Sequence, residues 1–291
     1  MNRLGLILCA FAGNAAADTP RIVTDIAPVQ SLVAMVTNGV TTPELLLEGS
    51  QDVHHAALTP AQANALQDAD LVFWIGPDLT PWLSDALTNV ASNATVRSLG
   101  GREGDLVLES RTHHGDHDHS HEGVDPHGWL DPANAISWLN TITEELSSLD
   151  PENAEIYQTN LERAKSRITE VDAEVQVMIG ASDLKIMVGH DNLQYFENAY
   201  GLSFAGGLSD SEDIAPTSDE IRELREAAAR DDVACLLVDQ ETSMAMVETV
   251  TEGTDLKIVT VDPIGRTLTP GLDLYADLLV SVGESVAACM E

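Results

Sequence analysis

Nine histidines are the residues of this 291-residue chain best suited to chemistry at neutral pH. Four stand in short, separate segments. His54 and His55 lie in Asp52-Val53-His54-His55, His127 in Asp125-Pro126-His127-Gly128-Trp129, and His190 in Gly189-His190-Asp191. The other five, His113, His114, His117, His119 and His121, crowd one polar stretch among Asp116, Asp118 and Glu122. Imidazole nitrogen is a strong ligand for Zn²⁺, and three histidines with one carboxylate satisfy tetrahedral coordination. Asp262, in Thr260-Val261-Asp262-Pro263, is a candidate carboxylate. No two of His54, His127, His190 and Asp262 have the local spacing of a helical metal motif. The fold must therefore assemble the set; otherwise these are satisfied core or surface histidines.

The elements that would position them alternate strand and helix. Strands are expected at Arg21 to Ile26, Glu44 to Leu47, Leu71 to Gly76 and Thr95 to Leu99. A helix is expected over Pro28 to Thr37. Thr59-Pro60 and Thr80-Pro81 each read as an N-cap followed by proline at the first helical position. From about Gly100 to Asp125 the rhythm breaks into a polar, histidine-rich stretch, read as a mobile surface loop. Asp150-Pro151-Glu152 then announces a helix. Apolar residues follow at Leu161, Ala164, Ile168, Val171, Val175 and Met178, with no breaker before Gly180. Roughly 28 helical residues would span about 42 Å, enough for a rigid connector. A second series follows. Its strands are Lys185 to Val188, Val233 to Val238 and Lys257 to Val261. A capping box at Thr217 to Glu220 opens a helix through Arg230, and a closing helix runs from Leu272 to Ala288. The expected fold is α/β: two doubly wound parallel-sheet lobes bridged by one long α-helix. The divisions are 18–149, 150–181 and 182–291. The His54 pair, His190 and Asp262 each follow a strand, where ligands bind in open α/β sheets, so two groups per lobe could converge in one cleft.

Forty-eight acidic residues against fourteen basic ones give a formal charge of −34. That excludes a nucleic-acid binder, which needs a positive face for phosphates, and docking on anionic lipid. Such a field attracts cations, although solubility alone explains it as well. Residues 1–17 read as a secretory signal peptide: Arg3, an apolar run from Leu4 to Ala12, and small residues at Ala15 to Ala17 before the cut. The run is too short to span a membrane, and Leu8 before Cys9 disfavours a lipid anchor. In an exported chain the two remaining cysteines, Cys235 and Cys289, read as one disulfide, the alternative being two buried thiols.

Four ordered segments give the chain a resemblance to the periplasmic metal-binding proteins of ABC importers, in the cluster containing the zinc-specific ZnuA type. "DVHHAALTPAQANALQDADLVFWIGPDLTPWL" (52–83) resembles the family's first ligand segment. There a histidine stands six residues before proline, which selects His54 over His55. "DPHGWLDP" (125–132) resembles the second and gives His127, and "GHDNLQYFENAYGL" (189–202) resembles the third and gives His190. "TVDPIG" (260–265) resembles the segment that bears a carboxylate ligand, giving Asp262. The resemblance runs from about Arg21 to Cys289. It implies two α/β lobes bridged by a long helix, metal between the lobes, a histidine-rich loop before the second ligand, and a Cys235–Cys289 disulfide. The sequence departs from the family at Val53, where some zinc members carry an acid, and in the extra His55.

The resemblance implies a periplasmic solute-binding protein, not an enzyme. It would capture Zn²⁺ and deliver it to the membrane permease and ATPase of a zinc ABC importer, as a monomer, with a periplasmic zinc chaperone as a possible further partner. The third position separates the metals. Manganese and iron members replace one histidine with a carboxylate, whereas a nitrogen-rich set favours zinc over the harder Mn²⁺. Asp191 is a candidate partner for His190. The loop histidines would bind zinc weakly and exchange it fast, collecting it for the cleft; docking a partner, or no role at all, are the competing readings. Two other classes stand against a binder. A zinc hydrolase needs an open metal position and a general base, and an adhesin or sensor could use the same fold.

Overall fold

The computed structural model describes residues 19–49, 51–111, 123–181, 183–209, 217–230 and 232–290. The expected signal segment and the five histidines at 113–121 lie outside them. Among the described residues no helix is long and apolar enough to cross a membrane.

Among the described residues, eight strands form two parallel sheets. The first holds β1 (Ile22–Thr24), β2 (Glu44–Leu45), β3 (Leu71–Trp74) and β4 (Thr95–Ser98), in the order β2-β1-β3-β4. The second holds β5 (Lys185–His190), β6 (Phe204–Ser209), β7 (Val233–Val238) and β8 (Lys257–Thr260), in the order β6-β5-β7-β8. Each sheet reverses its strand order beside its first strand, and such a reversal opens a crevice at the carboxyl ends of the strands.

The central strands β1, β3, β5 and β7 are buried on both faces and mainly apolar, whereas the edge strands β2, β4 and β8 are partly exposed. The period of two sorts their side chains. Ile22, Leu71 and Phe73 face the central core, while Val23, Val72 and Trp74 face an outer cluster. In the second sheet Ile186, Val188, Cys235 and Leu237 face inward, and Met187, Leu236 and Val238 outward. The helices α1 (Ala27–Thr37), α2 (Pro60–Asp68) and α3 (Leu83–Asn89) belong to the first lobe. Thr59 caps α2 through a full capping box with Gln62, as its sequence announces. Thr80-Pro81 does not repeat the device. The Thr80 hydroxyl donates to the Gly76 carbonyl (3.3 Å), and α3 starts only at Leu83, without a side-chain cap.

Two helices follow the interrupted region. α4 (Pro132–Leu149) was not anticipated, although Asp131-Pro132 carries its cap: the Asp131 carboxylate accepts from the Ala133 amide (2.7 Å). After a 3-10 turn at Pro151–Asn153 comes α5 (Ala154–Ile179). The Asp150 carboxylate does not cap α5. It accepts from the Asn153 side-chain Nδ2 and the Tyr157 hydroxyl (2.7 and 2.8 Å). The 26 residues of α5 span about 39 Å. Tyr157, Leu161, Ala164, Ile168, Val171, Val175 and Ile179 form its buried stripe at helical spacing. That stripe packs against α4, against α1 of the first lobe, and against a closing helix of the second lobe. The second lobe adds α6 (Gln194–Tyr200), α7 (Ser218–Ala228, capped by the Thr217–Glu220 box), α8 (Met244–Thr251) and that closing helix, α9 (Leu274–Met290). β6, α6 and α8 were also absent from the sequence reading.

The result is one hydrophobic core running from Ile22 in β1 through α5 to Cys289 in α9. Cys235 and Cys289 form a disulfide across it (Cα–Cα 5.3 Å), closing 54 residues of chain. Loop-closure entropy of that size is worth about 4 kcal/mol. The stripe of α5 makes a direct prediction. Ile168 is fully buried, so Ile168→Ala should destabilise the whole chain by about 2–5 kcal/mol in a single denaturant transition. Two separate transitions, or a loss below about 0.5 kcal/mol, would show that α5 does not join the lobes.

Candidate metal centre

His54 follows β2 in a tight turn organised by Asp52. One oxygen of that carboxylate accepts from the His54 and His55 amides (2.8 and 3.1 Å). Val53 is buried, and the Trp82 indole donates to its carbonyl (2.8 Å), so the turn is held against the first lobe. This turn aims neighbouring histidines apart. His55 is exposed, with its ring against Asp52 Oδ2 (3.2 Å), while His54 faces inward.

His127 is buried at the start of a 3-10 turn, Gly128–Leu130. Asp125 Oδ1 accepts from the His127 amide (2.9 Å) and faces ring Nδ1 (2.7 Å). A carboxylate at Nδ1 places the proton there and leaves the Nε2 lone pair for a metal. The ring packs on Trp129 (centroids 5.3 Å apart), whose indole donates to Pro263 in the second lobe (2.8 Å).

His190 is the last residue of β5 and is buried. Its Nδ1 lies 3.3 Å from Asn192 Nδ2, 3.7 Å from Glu241 Oε2 and 3.8 Å from Asp239 Oδ2. Asp239 follows β7 and builds the turn there. Its Oδ1 accepts from the Glu241 amide, the Thr242 amide and the Thr242 hydroxyl (3.1, 2.9 and 2.6 Å), and its Oδ2 from Asn192 (2.6 Å). Residue 189 has to be glycine for this turn to reach His190. A Cβ there would sit 2.1 Å from the Thr242 hydroxyl oxygen and 2.4 Å from its methyl carbon.

The three side chains meet. Ring centroids are 6.3 Å apart for His54–His127, 6.2 Å for His54–His190 and 5.6 Å for His127–His190. One ring nitrogen from each lies within 4.8 Å of the others. Tetrahedral zinc needs such nitrogens about 3.4 Å apart, a contraction that side-chain rotation can supply. His190, Asp239 and Glu241 form a second such group. A cavity of about 20 Å³, lined by His54, His127, Asp239, Glu241, Asp262 and Arg266 among others, has room for one water-sized sphere.

Asp262 reaches the wall of this cleft, but neither group of facing ligand atoms among the described residues includes it. Its oxygens accept from the Arg266 amide (3.0 Å) and from the amide and hydroxyl of Thr267 (both 2.8 Å), closing its own turn. Asp191, expected beside His190, turns to Arg111, which grips it with two donors (3.0 and 2.6 Å) and also holds Glu197 (2.5 Å).

Arg111 belongs to the stretch expected to be mobile. The described parts of that stretch, 100–111 and 123–125, are fastened. Asp105 accepts from Ser137 and Trp138, Leu108 donates to Tyr195, and Glu109 pairs with Val124. The Tyr195 hydroxyl also donates to the Asp125 carbonyl (3.0 Å). Both edges of the histidine-rich segment are thus tied to residues adjoining His190 and His127. Of these partners the sequence reading had named only Asp191. An acid two residues before a histidine, as in Asp125-Pro126-His127, is a signal that could have found one more.

Burial lowers the His54 pKa from 6.5 to about 4, reinforced by His127 and His190 and opposed by Glu241 and Asp52. His54 is therefore neutral at pH 7, as a ligand must be.

Two parallel α/β lobes locked by a long buried helix, with histidines from both lobes meeting between them, define a solute-binding protein of the rigid-spine kind. The chain belongs to the family described as zinc-uptake complex component A, periplasmic, whose model matches residues 22–289. It is 35% identical to the high-affinity zinc uptake system protein ZnuA of Paracoccus denitrificans (strain Pd 1222), across 98% of this chain and 97% of that one. It is 28% identical to the protein of the same name in Brucella abortus (strain 2308), across 97% and 96%. The crystal structure of ZnuA superposes with a TM-score of 0.81 at 22% identity, covering 94% of this chain and 100% of that one.

Two outcomes are expected. Below pH 6.5 the unfolded chain protonates at His54 while the folded chain does not until about pH 4. Metal-free protein should therefore lose stability as pH falls through that window, His54 contributing about 1.4 kcal/mol per unit. His54→Asn should flatten the slope by about one proton; equal slopes in pH-dependent unfolding would refute the assignment. Gly189→Ala should weaken metal binding at least about tenfold without altering a ligand. Unchanged affinity in a competition titration would show that the Thr242 turn does not shape the site.

Proposed function

We propose that this chain captures Zn²⁺ outside the cytoplasm and delivers it to the membrane permease and ATPase of an ABC importer. The observation that carries this reading is the meeting of His54, His127 and His190, with ring nitrogens within 4.8 Å of one another, in a chain of the zinc-uptake family. Three imidazoles supply a donor set suited to zinc and poor for Mn²⁺, and a carboxylate of the cleft wall completes four-coordination. Four protein ligands close the open position that hydrolysis requires, which favours a carrier over a zinc hydrolase. Residues 1–17 direct export and are removed after Ala17. The loop histidines (113, 114, 117, 119 and 121) collect zinc at lower affinity and pass it inward. A periplasmic zinc chaperone fits the same scheme as a donor.

The long helix limits how far the lobes can hinge, so binding draws in the turns that carry the ligands. The turns available for this are the Asp52–His55 and Asp239–Thr242 segments, each organised around one aspartate.

Competition titration of residues 18–291 should find one tightly bound zinc with weaker zinc beside it, and much poorer binding of Mn²⁺. His54→Ala, His127→Ala and His190→Ala should each weaken the tight site at least about 100-fold. Removal of 112–122 should abolish only the weak sites. Tight binding that survives all three histidine variants, or is lost with the loop, would sink this reading.

A further inference from the structure

Arg266 is one of only fourteen basic residues in a chain with forty-eight acids, yet it lines the cleft where the cation is proposed to bind. Its side chain is 11% exposed. One guanidinium nitrogen, Nη2, donates both to Glu241 Oε1 and, at 3.4 Å, to the Gln51 carbonyl in the His54 segment. The second Glu241 oxygen lies 3.7 Å from His190 Nδ1. Glu241 thus sits between a fixed positive charge and one of the three clustered histidines.

The three carboxylates of this wall are engaged differently. Asp239 and Asp262 each hold backbone amides of their own turns, and moving either would undo a turn. Glu241 is held through a side-chain guanidinium, and it can exchange that partner for another cation by rotation about its own bonds. Without Arg266, three acids would share one half-buried wall and repel one another.

We infer that Arg266 competes with the bound cation for the Glu241 carboxylate, and so limits both the affinity and the selectivity of the cleft. The inference rests on the cleft being the zinc site. The guanidinium keeps the carboxylate occupied. A nitrogen-preferring ion enters on the strength of its three imidazoles, whereas an oxygen-preferring ion such as Mn²⁺ needs the carboxylate more and is held back more by the competitor. Arg266 therefore acts as a selectivity residue without contacting the metal.

The test is a set of variants in the mature protein, titrated with Zn²⁺ alone and Mn²⁺ alone. Arg266→Gln should tighten Zn²⁺ binding by about tenfold and Mn²⁺ binding by more. Glu241→Gln should weaken Zn²⁺ binding by about tenfold, and the double variant should match Glu241→Gln. Arg266→Lys, which keeps the charge without the fork, should fall between wild type and Arg266→Gln, and it serves if the glutamine variant does not fold. The inference is overturned if Glu241→Gln leaves both affinities unchanged, or if removing Arg266 has the same effect with and without Glu241. Either result, in a protein whose tight zinc is still lost in His190→Ala, removes this inference and leaves the zinc assignment standing.

Discussion

The burial of one helical stripe fixes everything else. The apolar residues of α5 from Tyr157 to Ile179 pack against α1 of one lobe and α9 of the other, so both sheets are built onto a single core. Histidines separated by dozens of residues can meet only if the sheets that carry them are held in register with each other. Hydrophobic contact has no direction of its own. The orientation comes from the i, i+3, i+4 spacing of the stripe, which gives each lobe one way to sit. The Trp129–Pro263 and Arg266–Gln51 bonds then cross between the lobes close to the histidines. Polar bonds alone would be a weak hinge, but here they only trim a geometry that packing has set.

Within that frame the acidic residues do local work that a net charge of −34 conceals. Asp52, Asp125 and Asp239 each organise the turn or ring of one histidine through bonds to amides, imidazole or neighbouring side chains. Short carboxylates suit this task, because an aspartate reaches the amides two and three residues ahead. The same groups leave the site rich in negative potential, which favours a divalent cation. Positioning the nitrogens and attracting the ion are thus one set of residues used twice.

Much of this was legible in the sequence. The strand at Val233 to Val238 was plain, because a run of buried aliphatic residues has few other readings. His54, rather than the adjacent His55, was selected by its distance from Pro60, and the turn that separates them follows from Asp52. The roles of Arg111 and Glu241 stayed hidden because they depend on partners far along the chain. α4 has a good cap in Asp131-Pro132, but no element is expected between the loop ending near Asp125 and the helix announced at Asp150. Arg111, in that polar stretch, is ordered because Asp191 and Glu197 lie across from it, some eighty residues away. Asp262 follows a strand and lines the cleft, as its position suggested, while its oxygens also close its own turn. Glu241 had no motif at all; it matters because Gly189 lets its turn close on His190.

The disulfide sits at the far side of the same core, joining β7 to the last turn of α9. Thiols stay reduced in the cytosol and pair outside it. Under the export proposed above, the chain lacks, until it has crossed the membrane, a cross-link worth about 4 kcal/mol, a large share of the 5–15 kcal/mol typical of a folded protein. The same residues make a looser molecule on the side of the membrane where the chain is synthesised and a tighter one where oxidation has closed the loop. Compartment, as much as composition, decides how long the nascent chain stays pliable.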